Sequence, residues 1–63
     1  MAKQVANFEV VRSHCGWYII KQVYADGGKL IVEAAQQAEE NAKQWIADYC
    51  KKQGFAIGEI AIV

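Results

Sequence analysis

His14 and Cys15 stand side by side, and an acid such as Glu9 or Asp48 could complete a nucleophile–base set, because a thiolate is the reactive form of cysteine and an imidazole generates it. Adjacency argues against this use. Neighbours on a strand or tight turn point in different directions, whereas a nucleophile and its base must touch. His14 is therefore read as a turn residue and Cys15 as a small apolar filler. With Cys50 they complete the chain's one His and two Cys, without CxxC or HxxxH spacing, so no metal site is expected. Gly27-Gly28-Lys29 resembles a phosphate loop only superficially. A Walker loop needs four residues between its glycines and a helix directly after the lysine, and here the glycines lead into strand-like residues. Neither a catalytic role nor a cofactor is expected.

Trp17, Tyr24, Arg12, Lys21 and Lys29 are the set that could stack bases and hold phosphates on a sheet. The charge balance opposes it. Seven Lys plus Arg meet seven Asp plus Glu, the formal net charge is zero and the isoelectric point lies near 6.5, without the positive footprint of a nucleic-acid binder. A regulatory or phage-derived factor that binds nucleic acid or a nucleoprotein complex is thus the alternative reading, not the first. Protein association fits the composition better: two Trp and three Tyr in 63 residues supply the aromatic anchors of interface cores.

The elements that would position these residues can be read from periodicity. Residues 7–13 alternate, with Phe8 and Val10 on one side and Asn7, Glu9 and Val11 on the other, which predicts a strand. A second strand over 17–24 is rich in aromatic and β-branched residues. Ala25-Asp26-Gly27-Gly28 carries a hairpin signal and leads to a third strand over 29–33. From Ala34 a run of helix formers continues to a stop at Gly54. Its apolar stripe is Ala35, Ala38, Ala42, Trp45, Ile46 and Tyr49, with Glu39–Lys43 and Asp48–Lys52 as i,i+4 pairs. No Ser, Thr, Asp or Asn marks the N-cap, which leaves the helix start open over several residues. Residues 55–63 predict a fourth strand. The expected fold is α+β, one domain over 1–63, in the order β-β-β-α-β: an antiparallel sheet with one amphipathic helix packed on one face.

Phe8-Glu9-Val10, Gly16 eight residues after Phe8, Tyr18, Ala25-Asp26-Gly27 and Leu30-Ile31, then Asn41-Ala42, Ile46 and Lys51-Lys52, resemble the YegP-like family of small bacterial proteins of unknown function over residues 7–52. The resemblance implies a three-stranded sheet followed by a helix, often as a tandem pair, with single-unit members associating as dimers. It implies no activity. Two departures stand out: family members commonly alternate basic residues along the second strand, where Ile19 takes one such place and only Lys21 remains, and the Ser- and Tyr-containing lead-in to the helix is missing. A related strand order occurs in HicB-like antitoxins, whose glycine-rich signature is not seen here.

One helix covers one face of such a sheet, yet the second strand is apolar on both. In the expected register Tyr18 and Ile20 face the helix, and Trp17, Ile19 and Val23 face outward with Lys21. That outer face is the expected homodimer interface, since an unpartnered apolar patch marks an association surface. Alternatively the fourth strand, with Ile60 and Ile62, pairs with a neighbouring copy as an added or exchanged strand. A second subunit would also help so short a chain, which buries only about 60% of its extended surface on folding. The expected partner is a second copy, with an unidentified protein as a further candidate; nucleic acid is disfavoured and stays with the alternative reading, and no membrane is expected. Met1-Ala2-Lys3-Gln4-Val5 has no apolar leader region, so a cytoplasmic location with reduced thiols is expected.

Overall fold

In a computed structural model, which describes residues 4–63, the chain runs β1 (Val5–Arg12), β2 (Tyr18–Val23), β3 (Lys29–Gln36), α1 (Glu39–Gln53) and β4 (Ala56–Ile62). This is the β-β-β-α-β order read from periodicity. The strands lie side by side as β3-β2-β1-β4. β1, β2 and β3 are successively antiparallel, whereas β4 lies parallel to β1. The sheet is thus mixed rather than antiparallel throughout. Two hairpins return the chain in β3 to the direction of β1, and α1 then carries it back over the sheet, so the next strand must run that way again.

Both hairpins are built alike. Gly16 donates to the Ser13 carbonyl at 3.1 Å and Ser13 to the Trp17 carbonyl at 2.8 Å; Gly27 donates to Tyr24 at 3.0 Å and Tyr24 to Gly28 at 2.8 Å. Each is a three-residue loop whose last residue must take positive φ, 84° at Gly16 and 90° at Gly27, which a Cβ disfavours. Asp26 Oδ1 accepts the Gly28 N–H at 2.8 Å and fixes the second turn.

β3 is longer than the sequence suggests and α1 starts later, at Glu39 instead of near Ala34. The register against β2 shifts twice, so that β3 spends an extra residue at each of two bulges and still reaches Gln36 opposite Tyr18. Near the second bulge the Glu33 carboxylate accepts the Ala34 N–H at 2.9 Å and the Gln36 amide at 3.4 Å. Helix preference at Ala34, Ala35 and Gln36 is worth only tenths of a kcal/mol per residue, less than the strand pairing that replaces it. Ala35 therefore belongs to the strand, and Ala38 is the N-cap, without a side-chain cap. Glu39 and Glu40 in the first turn and Lys51 and Lys52 in the last complement the dipole. The expected Glu39–Lys43 and Asp48–Lys52 pairs do not close to bonding distance; Asp48 instead accepts from the Gln44 amide at 3.1 Å.

The core lies between α1 and one sheet face. Ala6, Phe8 and Val10 of β1 and Ile20 of β2 meet Ala42, Ile46 and Cys50 of α1, all buried. Tyr18, Val32, Trp45, Tyr49, Phe55 and Ile60 close its rim. Tyr49 organises the aromatic part: it stacks on Trp45 at 5.0 Å and 13° and meets the edge of Phe8 at 6.2 Å and 87°.

β4 is held to β1 through its own irregularity. The register shifts between Ala6 and Phe8, and the Glu59 N–H beside that bulge is taken up by Asn7 Oδ1 at 2.8 Å. Gly58 allows the approach: a Cβ there would run into the Asn7 side chain and lie 2.6 Å from Val5 Cγ1 and 3.1 Å from the Ala6 carbonyl. Asn7→Ala is expected to cost about 0.5–1.5 kcal/mol and Gly58→Ala about 1–3 kcal/mol, both read from urea unfolding. An unchanged midpoint for Gly58→Ala would show that β4 does not pass so close to β1.

Candidate functional site

The catalytic set considered above is not assembled. His14 and Cys15 lie exposed in the first hairpin loop, Glu9 sits in mid-β1 bound to Lys29, and Asp48 is on α1. Cys50 is buried under the helix, and burial pushes its thiol above the usual cysteine range, which suits packing rather than nucleophilic chemistry. Gly27 and Gly28 turn the second hairpin, and Lys29 is engaged by Glu9. Among the described residues no group of three or more His, Cys, Asp or Glu side chains could hold a metal ion. A depression of about 140 Å³ between Trp45, Asp48, Tyr49 and Lys52 is smaller than an ordinary ligand pocket.

The sheet itself offers more. Pairing of Phe8 with Gln22, Val10 with Ile20 and Arg12 with Tyr18 fixes the helix-facing rows of β1 and β2. The intervening pairs Asn7–Val23, Glu9–Lys21 and Val11–Ile19 must point to the opposite face. Ile31, opposite Lys21, extends that face onto β3, and Trp17 continues the alternation of β2 by one step. Among the described residues no second layer covers it. Val11, Ile19 and Val23 are half-buried by their neighbours alone, while Trp17 is 40% and Ile31 56% exposed.

Charge sits in the middle of these apolar residues. Glu9 Oε2 accepts from Lys29 Nζ at 2.8 Å, reaching across β2. The hydrogen bond from Lys29 holds the Glu9 carboxyl below the usual carboxylate range; partial desolvation opposes this, and the charges of Lys29 and Lys21 add to it. Lys21 stands directly opposite Glu9, but its ammonium has no carboxylate within 4 Å among the described residues.

Of the residues expected at an interface, Trp17, Ile19, Lys21 and Val23 thus share one face. Ile60 and Ile62 do not join them. They are in register with Phe8 and Val10, on the helix side, where Ile60 packs at the edge of the core and Ile62 stays 45% exposed. β4 pairs within its own chain. The base-stacking set is divided too: Trp17, Lys21 and Lys29 are on the bare face, and Arg12 pairs with Tyr18 on the other. Sequence reasoning missed Ile31 and the Glu9–Lys29 bridge. Ile31 could have been found from hairpin register, whereas the bridge spans three strands and needs the sheet order.

No helix among the described residues is long and apolar enough to cross a membrane. No family model matches the sequence, and neither a curated protein nor a solved structure matches it significantly.

Because the folded state lowers the Glu9 pKa, its bridge contributes fully above the unfolded-chain value and is lost as pH falls through the folded one. In a carboxyl-carbon NMR titration Glu9 is expected to change below the midpoint of a peptide glutamate, and Lys29→Met should raise that midpoint. An unmoved midpoint in Lys29→Met would exclude the bridge as the cause.

Proposed function

We propose that this chain is a non-enzymatic protein-interaction module that works as a homodimer, its two copies meeting through the bare face of the sheet. The observation that carries the reading is the row of Val11, Trp17, Ile19, Val23 and Ile31 on the side away from α1. A face left dry on one side by a single helix is half a sandwich, and a second sheet laid on it makes the other half.

The dimensions are sufficient. Four strands at about 4.8 Å spacing and about 7 residues each at 3.3 Å give a face of roughly 20 by 23 Å. Two such corrugated faces remove on the order of 1,000 Å² from water, near the lower bound for a specific interface. Zero net charge leaves the copies without mutual repulsion. The reading places the dimer in the cytoplasm, where Cys15 and Cys50, both free thiols, stay reduced.

Sedimentation of the wild type at micromolar concentration is expected to give a dimer, and Trp17→Lys a monomer with unchanged far-UV circular dichroism. A stable wild-type monomer would refute the reading. A folded Trp17→Lys dimer would move the interface to another surface.

A further inference from the structure

Glu9 and Lys21 each occupy the middle of an outward row, Glu9 between Asn7 and Val11 and Lys21 between Ile19 and Val23. Charges so placed are costly when a second sheet covers them, unless each finds a counter-charge. Within one copy the account does not close. Among the described residues Glu9 accepts from Lys29 at Oε2 and makes no hydrogen bond at Oε1, and Lys21 has no carboxylate partner. One acceptor and one cation therefore stand side by side, both incompletely used. A two-fold axis lying in the plane between the two sheets, parallel to the strands and passing between Glu9 and Lys21, lays each cation on the other copy's acceptor, which makes this pair self-complementary.

Resting on the homodimer reading above, we propose that the Glu9–Lys21 pair is the recognition element of the interface: Lys21 of each copy bonds the partner's Glu9 at Oε1, while Oε2 keeps its own Lys29. The occupant of the bare face is thus a second copy of this chain, held in one register by two reciprocal ion pairs inside an apolar surround. The apolar residues supply most of the attraction but fit many partners and many slides along the strands. The ion pairs reject all but the register that closes both.

Charge reversal separates this from a purely apolar contact. K21E places two carboxylates at the centre of the face, and E9K places two ammonium groups there. Each variant alone is expected to dimerise at least about tenfold more weakly than the wild type, because like charges are brought together. Mixed in equimolar amounts they should recover a dimer of near wild-type affinity, with one copy of each kind, as read by native mass spectrometry. Recovery on mixing requires contact between copies, since pairs closed within one chain gain nothing from it. If the wild type dimerises but either variant does so equally well, or the mixture is no tighter than its parts, the proposal is overturned while the homodimer reading survives. A monomeric wild type overturns both.

Should a reversal unfold the copy, the neutral variants K21Q and E9Q decide the matter. The wild-type dimer is expected to weaken as salt is raised and the neutral dimers to respond less. An equal salt response in all three would overturn the proposal.

Discussion

The contact on which the molecule depends is the seating of one helix against one sheet face, with Ala42, Ile46 and Cys50 laid on Phe8, Val10 and Ile20. Spacing of four residues along α1 places these three buried side chains in one narrow row that faces the sheet. Larger side chains are displaced to the flank, where Trp45 and Tyr49 stack and shield the edge of the core. Removing a side chain such as Ile46 from this row would forfeit about 2–5 kcal/mol, a large fraction of what a domain of this size possesses. The same economy decides the other side of the sheet. Among the described residues the one helix is committed to one face, and no element lies on the opposite one.

That opposite face differs from an ordinary solvated sheet surface. Antiparallel sheets with one wet side normally read as strict alternation of apolar and polar residues. Here the wet side carries Val11, Ile19, Val23 and Ile31, with Glu9, Lys21 and Lys29 clustered among them. Lys29 reaches back over β2 to Glu9 and so ties the outermost strand to the interior one by a contact independent of the ladder. The bridge engages one oxygen of the Glu9 carboxylate, Oε2. The arrangement thus combines a broad apolar area, which gains from being covered, with a small polar centre that restricts how the cover can sit.

Much of this was legible in the sequence because it follows from period and turn chemistry. Alternation in Asn7 to Val11 and in Trp17 to Val23 fixes which residues share a face, and Gly16 and Gly27 mark the two hairpins that pair those strands. The α+β order, the helix stop at Gly54 and the separation of Ile20 from Ile19 all came from such local signals. The misread parts depend on distant partners. Ala34 to Gln36 favour a helix in isolation and are drawn into β3 by pairing with β2, through bulges that leave no clear trace in composition. β4 pairs with β1 rather than with β3, its predecessor in the sheet, so the parallel alignment and the turning of Ile60 and Ile62 toward the helix could not be derived from its own residues. The helix ion pairs failed for another reason: exposed i,i+4 contacts are worth so little that a hydrogen bond from Gln44 suffices to occupy Asp48.

The parallel pairing of β1 with β4 also orders the events of folding. Val5 lies opposite Ala56, so about fifty residues separate the two sides of that ladder, whereas β1, β2 and β3 are joined by loops of a few residues. The meander can close on the fast timescale of hairpins, but β1 remains a raw edge until the helix has been made and has carried β4 across the sheet. During synthesis on the ribosome this interval is the time needed to add the 26 residues from the end of β3 at Gln36 to the end of β4 at Ile62, roughly one to five seconds. Throughout it the emerging chain exposes an unpaired strand next to Phe8 and Val10. The vulnerable species for aggregation or for capture by a chaperone is accordingly the three-stranded nascent chain, and the helix-to-β4 segment ends that exposure.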